Sequence, residues 1–247
     1  MALIPIKDDN KLSEIKFQYV TVVFIAACIG VFLWQLTLGS GENRVIYGYG
    51  SIPAVLFGTK EMSPGLIVVP EYLTLVTSIF FHGGWMHIIF NMLFLWVFGD
   101  NVEDVMGPIR FVVFYLLCGL AAAFAQIGSD TDSIIPMVGA SGAIGGVMGA
   151  YALLFPRVKV NTLIFLGFSV TTLRVPAIFM LGYWFVLQLL QGLPALGSTQ
   201  GGVAFWAHIG GFLAGIALIY VFRRSDYRAN HTTADSGSAP RDDSRWF

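Results

Sequence analysis

Long apolar stretches without charged residues alternate with short polar segments along the chain. A transmembrane helix needs about 20 apolar residues to cross roughly 30 Å of hydrocarbon, and several charge-free intervals reach that length. The interval between Arg174 and Arg223 holds 48 residues and contains a turn-rich segment at 192–202, so it accommodates two helices. The pattern therefore predicts six transmembrane helices. They fall within residues 17–41, 72–99, 111–129 and 133–156 and, as a pair, within 175–222.

One further stretch is too short to cross a membrane. The residues between Lys159 and Arg174 are few and include Asn161, Ser169 and three threonines. We therefore predict an interfacial loop at this place.

The composition agrees with a membrane protein. Hydrophobic residues make up 56% of the 247 residues and charged residues 12%, against roughly 25% charged in an ordinary soluble domain. A soluble or disordered chain is excluded on this ground. The net charge of −1 gives no electrostatic reason to expect binding to nucleic acid. The predicted fold class is an all-α polytopic membrane protein.

The basic residues predict the orientation. Cytoplasmic loops carry an excess of Lys and Arg, and the predicted helices place twelve of the 14 basic residues on one side, leaving Arg44 and Lys60 on the other. Both termini are therefore predicted to be cytoplasmic. The domain prediction is an N-terminal tail at 1–16, a six-helix membrane domain at 17–224 and a disordered C-terminal tail at 225–247.

Polar side chains inside the predicted spans are the candidates for chemistry, because such residues are costly in lipid. His87 and Asn91 are four residues apart and share one helix face. They are either hydrogen-bonding groups that hold helices together or a pair of donors directed at one point, as an oxyanion hole requires.

Ser141 lies at the start of a predicted helix, in the sequence Gly139-Ala140-Ser141-Gly142. Backbone N–H groups at a helix start lack intrahelical partners and can contact a developing oxyanion. The glycines that follow leave one helix face as bare backbone, which permits close approach by a neighbouring helix. These glycines are Gly142, Gly145, Gly146 and Gly149.

His208 lies on a second small-residue face, with Gly211 and Gly215. Packing of the two glycine faces would bring His208 to Ser141. A serine hydroxyl needs a base to become a nucleophile, and neutral imidazole is the usual base. The predicted spans contain no acidic residue to complete a triad, so the pattern indicates a Ser–His dyad.

Three motifs in this order resemble the rhomboid intramembrane serine proteases: HGGWMHIIFN from His82, GASG from Gly139 and AHIGGFLAG from Ala207. The resemblance implies a six-helix bundle around a water-filled cavity that is open to the outside. It implies that Ser141 is the nucleophile and His208 the general base. His87, Asn91 and the Ser141 N–H would be oxyanion donors, Gly139 would lie beside the substrate-binding region, and His82 would have a structural or loop-holding role.

The chain departs from the family pattern at two places. Tyr72-Leu73 stands near the position where many rhomboids carry Trp-Arg in the first outer loop. Gly145 stands where some rhomboids have an aromatic residue that packs beside the catalytic histidine.

The function that we predict is hydrolysis of a peptide bond in or near the transmembrane segment of membrane-protein substrates. No metal and no organic cofactor is implied. The predicted location is a prokaryotic plasma membrane, as a multi-pass protein. One alternative is a catalytically inactive rhomboid-like protein that binds membrane clients. A small channel or transporter is another, although it would predict carboxylates within the spans or an internal repeat.

Overall fold

Six long helices dominate the computed structural model, which describes residues 3–166, 169–196, 202–225 and 227. The interval 175–222 holds two of them, as predicted, and each of the other four apolar intervals holds one or most of one. The long helices are α1 and α5 to α9, and the short helices α2 to α4 connect α1 to α5. In chain order the helices are α1 (Tyr19–Thr37), α2 (Glu42–Tyr49), α3 (Pro53–Leu56), α4 (Thr74–Thr77), α5 (Trp85–Met106), α6 (Pro108–Ser129), α7 (Ser141–Leu154), α8 (Ala177–Gly192) and α9 (Phe205–Phe222). Short 3-10 turns span Gly39–Gly41, Pro64–Leu66, Glu71–Leu73 and Ser78–Phe80.

Within the described residues, α1, α6 and α9 are long and apolar enough to cross a membrane. A fourth crossing results if the helical segment Glu71–Phe80 and α5 are counted together, although they are bent by 79°. The helices α7 and α8 are apolar but have only 14 and 16 residues. The protein is therefore an integral membrane protein, whereas six crossings and cytoplasmic termini stay predictions.

The segment between Lys159 and Arg174 is not a loop, and the fold is mostly helical rather than all-α. Strands β2 (Lys159–Leu166) and β3 (Ser169–Pro176) form an antiparallel hairpin. Strand β1 (Leu3–Asp8), from within the predicted tail 1–16, pairs antiparallel with β2, giving the order β1-β2-β3. The prediction of a loop was wrong because it was based on the number of polar residues and not on how polar and apolar positions alternate along the segment. Val160, Thr162 and Ile164 are buried on one face, with the two-residue period of a half-buried strand.

Helix α5 extends beyond the apolar interval that predicted it. The interval ends at Gly99, but the helix continues to Met106 and buries Glu103 and Asp104. Gly107, with φ of +78°, then turns the chain sharply into α6, a conformation that a residue with a side chain rarely adopts.

The buried carboxylates of α5 bind the backbone at the start of α1. Glu103 accepts hydrogen bonds from the N–H groups of Val20 (3.0 Å) and Thr21 (2.8 Å) and from the Thr21 hydroxyl (2.8 Å). Asp104 accepts from the N–H groups of residues 13, 14 and 15. The first N–H groups of a helix lack intrahelical acceptors and attract negative charge, so Glu103 acts as the cap of α1.

The glycine faces of α7 and α9 are in direct backbone contact, as the sequence predicted. A Cβ atom added to Gly211 would overlap the carbonyl oxygen of Gly142, and one added to Gly215 would overlap that of Gly146. On the α7 side, a Cβ at Gly149 would overlap the carbonyl oxygen of Phe212. The two helices are therefore closer than side chains of any size would permit.

The predicted C-terminal tail at 225–247 lies outside the described residues, apart from Ser225 and Tyr227. The Tyr227 hydroxyl donates a hydrogen bond to Asp104 (3.2 Å).

We expect Glu103→Ala to lower the thermal unfolding temperature of the detergent-solubilised protein by several degrees. The variant removes three hydrogen bonds and leaves two buried N–H groups unpaired, at a cost of about 2–4 kcal/mol. Unfolding is followed by circular dichroism. The matched control is Glu61→Ala, which removes an exposed carboxylate. Equal unfolding temperatures for the two variants would contradict the capping role.

Asp8 makes stability depend on pH. It is 6% exposed and accepts hydrogen bonds from Tyr151 and Asn101. Burial raises the pKa of Asp8 from 3.8 to about 7, the hydrogen bond from Tyr151 opposes the rise, and the nearby Asp100 adds to it. Between these two pH values the folded protein holds a proton that the unfolded chain releases. The contribution of Asp8 to stability is therefore fully present below this window and is lost as the pH rises through it.

We expect the unfolding temperature of the wild type to fall between pH 5 and pH 8 by more than that of Asp8→Asn. The asparagine keeps an acceptor for Tyr151 but cannot ionise, so this part of the pH dependence disappears. Asp132→Asn, at an exposed carboxylate, is the control and should behave as the wild type does. Parallel pH dependences for the wild type and Asp8→Asn would disprove the buried neutral carboxyl.

Candidate active site

Ser141 and His208 lie within hydrogen-bond distance of each other. Ser141 is the first residue of α7, and His208 is in the first turns of α9. The Ser141 Oγ and the His208 Nε2 are 2.9 Å apart. The contact follows from the packing of the two glycine faces, because both residues lie at the same end of that helix pair. A hydroxyl at this distance from an imidazole nitrogen can transfer its proton to it.

The other ring nitrogen of His208 contacts α8. Its Nδ1 is 2.8 Å from the Oε1 of Gln188. The Trp184 ring, one turn earlier on α8, lies beside the imidazole with its centroid 5.6 Å away and an interplanar angle of 37°. A Cβ added to Gly145 would be 3.0 Å from the His208 carbonyl oxygen, a tight contact that the backbone of α9 would have to relieve. In this chain Trp184 is the aromatic neighbour of His208.

Gly139 lets the chain before Ser141 approach α5. It has φ of +123°, and its N–H donates a hydrogen bond to the Ser78 carbonyl (2.8 Å). A Cβ at this position would be 2.6 Å from the His87 Cε1 and Nε2 and 3.6 Å from the Asn91 Nδ2. His87 and Asn91 therefore lie against the turn that leads into Ser141.

Asn91 carries a buried hydrogen-bond donor for which the described part of the chain offers no acceptor. The residue is 7% exposed, and its Nδ2 is buried without a hydrogen-bond partner among the described residues. Buried polar atoms are nearly always paired, so an unpaired donor at the wall of a cavity indicates a place for an acceptor from outside the chain.

His82 has a different environment from His87. It is fully buried, and its backbone forms two hydrogen bonds of 3.1 Å with the side-chain amide of Gln35 on α1. Its ring lies 5.2 Å from the His87 ring. These backbone hydrogen bonds connect α1 to the loop that leads into α5, and the role of the His82 side chain stays a prediction.

The candidate residues surround one cavity of about 920 Å³. Ser141, His208, His87 and Asn91 line it. Gly139 is not one of the lining residues, but its chain neighbour Val138 is. The volume is that of an ordinary ligand site and is large enough for several residues of an extended peptide.

The sequence analysis missed Gln188 and Gln126, which also line the cavity. The Gln126 Oε1 accepts a hydrogen bond from the Ala207 N–H (3.2 Å), next to His208. Both glutamines lie in apolar stretches and were detectable, since an amide in lipid is unfavourable whether it belongs to Asn or to Gln. In the part of the chain that the structure describes, no group of three His, Cys, Asp or Glu residues could hold a metal.

Comparisons with known proteins agree with the geometry. The sequence profile of the Rhomboid domain matches residues 69–225, which include all of the candidate residues. Rhomboid protease GluP of Bacillus subtilis is 35% identical over 199 residues, covering 80% of this chain and 34% of that protein. Rhomboid protein 1, mitochondrial, of Saccharomyces cerevisiae is 26% identical over 183 residues, covering 71% and 49%. RHOMBOID-like protein 5 of Arabidopsis thaliana is 31% identical over 157 residues, covering 63% and 46%. The chain spans about a third to a half of the length of these relatives.

We expect Gly139→Ala to slow the reaction of Ser141 with a fluorophosphonate probe at least tenfold. The added methyl group requires an unfavourable backbone conformation and displaces the His87 ring. Labelling is measured by mass spectrometry of the intact protein. Gly83→Ala is the matched control, because its Cβ would be in ordinary contact with the same imidazole, 3.9 Å from Nδ1. Equal labelling rates for the two variants would show that the close approach at Gly139 is not needed.

Proposed function

Because the chain belongs to the rhomboid family, we propose that it is an intramembrane serine protease in which Ser141 is the nucleophile and His208 the general base. The single observation that carries the proposal is the 2.9 Å contact between the Ser141 Oγ and the His208 Nε2 at the wall of a large cavity. The matching Rhomboid domain and the similarity to a rhomboid protease support it.

The proposed reaction has two halves. The His208 Nε2 accepts the proton of Ser141 while Oγ attacks the carbonyl carbon of the scissile peptide bond. The imidazolium then gives this proton to the leaving amine, and an acyl-enzyme remains. Water, deprotonated by the same nitrogen, attacks the ester, and the proton returns to Oγ as the new carboxyl end leaves.

The tetrahedral intermediate needs donors for its negative oxygen. We assign this role to Asn91, to His87 and to the Ser141 N–H at the start of α7. Asn91 supports the assignment most directly, because its buried Nδ2 has no partner among the described residues and lies next to Gly139. Donors fixed in a cavity before the reaction are more effective than water, since they need not reorient.

We place the reaction inside the membrane, with the six long helices as six crossings and both termini in the cytoplasm. A helix of 14 residues is about 21 Å long, which is less than the roughly 30 Å of hydrocarbon. If α7 ends at the cytoplasmic boundary, Ser141 lies about 9 Å below the outer one. The basic residues support this orientation. The boundaries of the membrane domain at 17–224 and of the tails belong to the same proposal.

We infer that the substrates are membrane proteins whose transmembrane segment can unfold locally into the cavity. An intact helix keeps its carbonyl groups in its own hydrogen bonds, whereas Ser141 needs an accessible one. A prokaryotic plasma membrane is the proposed location, supported by the similarity to the protein from Bacillus subtilis.

We expect the purified wild type to cleave a reporter protein with a single transmembrane segment, and Ser141→Ala and His208→Ala to cleave at least 10³-fold more slowly. Loss of either member of a nucleophile–base pair removes most of the rate enhancement. Cleavage is measured on gels, in detergent and in liposomes. Ser63→Ala, at an exposed serine, is the control and should cleave at the wild-type rate.

Cleavage by Ser141→Ala at the wild-type rate would disprove the mechanism. Binding without cleavage of several such reporters by a folded wild type would instead support a client-binding protein. Circular dichroism and gel filtration establish that each variant is folded.

A further inference from the structure

Gln188 is a polar residue in the middle of an apolar helix. It is 6% exposed, and its neighbours along α8 are mainly Leu, Phe and Trp. Burying a side-chain amide without hydrogen bonds is unfavourable by several kcal/mol in an apolar environment. The side-chain amide of Gln188 therefore needs hydrogen-bond partners within the protein.

The amide of Gln188 has a defined orientation. Its Nε2 donates a hydrogen bond to the Trp184 carbonyl (3.2 Å), which has only lone pairs to offer. The Oε1 on the other side of the amide is therefore the atom that is 2.8 Å from the His208 Nδ1. An exchange of the two amide atoms would place Oε1 opposite the Trp184 carbonyl oxygen, so that two acceptors would face each other without a hydrogen.

This orientation fixes the proton on His208. The Oε1 atom accepts hydrogen bonds and cannot donate one, so Nδ1 carries the hydrogen in neutral imidazole. The Nε2 atom is then left with a lone pair, which points at the Ser141 hydroxyl 2.9 Å away. A general base must have its lone pair on the nitrogen that faces the nucleophile.

We propose that Gln188 is a positioning residue that holds His208 in the tautomer and ring orientation required of a base. The inference rests on the proposed function of Ser141 and His208. The three residues Ser141, His208 and Gln188 would then form a triad. Its third member is a neutral amide, whereas a Ser-His-Asp triad has a carboxylate at that position.

A neutral partner suits this location. A carboxylate would also fix the tautomer, but a charge buried among the apolar side chains of α8 is far more unfavourable than an amide. Among the described residues on other elements, His87 on α5 is the ionisable side chain whose charge would act on His208. The Trp184 ring covers one side of the imidazole. Gln188 thus orients the base without adding a charge.

The test compares Gln188→Leu, Gln188→Glu and a matched control. Gln191 lies on the same helix, is exposed, and its Nε2 donates to the Leu187 carbonyl at 3.2 Å, as that of Gln188 does to Trp184. Gln191→Leu therefore removes an equivalent local hydrogen bond without affecting His208. We expect it to leave kcat and KM unchanged.

We expect Gln188→Leu to lower kcat about 10- to 100-fold with little change in KM, because partners that orient a functional imidazole typically contribute this much. Gln188→Glu keeps an acceptor at the same position and should recover most of this loss. The acidic limb of the pH–rate profile of Gln188→Glu should lie at a pH about one unit or more higher than in the wild type, since a carboxylate stabilises the imidazolium. An unshifted limb would show that the side chain at position 188 does not act on His208 in the working enzyme.

A second readout does not depend on activity. The chain has four histidines, so 15N-histidine labelling with a His208→Ala reference assigns the His208 ring signals. We expect the Nδ1–H tautomer in the wild type and in Gln191→Leu, and a mixture of tautomers in Gln188→Leu.

The two proposals fail separately. An inactive wild type that shows the Nδ1–H tautomer, lost in Gln188→Leu, would contradict the protease function and support the contact. An active wild type whose kcat, pH profile and tautomer are unchanged in folded Gln188→Leu would overturn the role of Gln188. If the leucine variant does not fold, the pH profile of Gln188→Glu decides: an unshifted limb overturns the proposal.

Discussion

Backbone contact between α7 and α9 is the constraint on which the site depends. At Gly211 and Gly215 a single added carbon would overlap a carbonyl oxygen of the opposite helix. In lipid there is little hydrophobic force between helices, so close packing of this kind supplies much of the attraction. The same approach brings Ser141 and His208 to 2.9 Å. Helix packing and the proposed chemistry therefore depend on the same glycines, and the helix pair cannot separate without breaking the contact between Ser141 and His208.

Glutamine amides make three further connections around the site. Gln35 on α1 binds the backbone of His82, Gln126 on α6 binds the N–H of Ala207, and Gln188 on α8 contacts the His208 ring. Each amide is neutral and offers both a donor and an acceptor, which satisfies polar groups in lipid without burying a charge. The region around the site is thus held by directed hydrogen bonds, whereas the α7–α9 contact is held by shape.

The opposite end of the molecule uses charge instead. Glu103 and Asp104 bind the backbone N–H groups of the segment that precedes and begins α1. Asp8 of β1 joins the end of α7 through Tyr151, so the three-stranded sheet is connected to the helix that carries Ser141. Glu103 and Asp104 lie beyond the apolar intervals. Hydrogen bonds from the N-terminal segment replace those that water would otherwise make to their carboxylates.

The sequence by itself determined the six helical intervals, the glycine faces and the identity of Ser141, His208, His87 and Asn91 as candidates. Length without charge, helical periodicity and polar residues in apolar surroundings are local properties, so they can be detected in one dimension. The tertiary structure alone decided which groups complete the site. Gln188 meets His208 because α8 packs beside α9. The burial of the Asn91 Nδ2 without a partner among the described residues is likewise a property of the packed structure. The three-stranded sheet is a further example, because β2 pairs with β1, which is more than 150 residues earlier in the chain. Contacts between distant segments depend on packing in three dimensions, and the spacing of residues along one segment does not encode them.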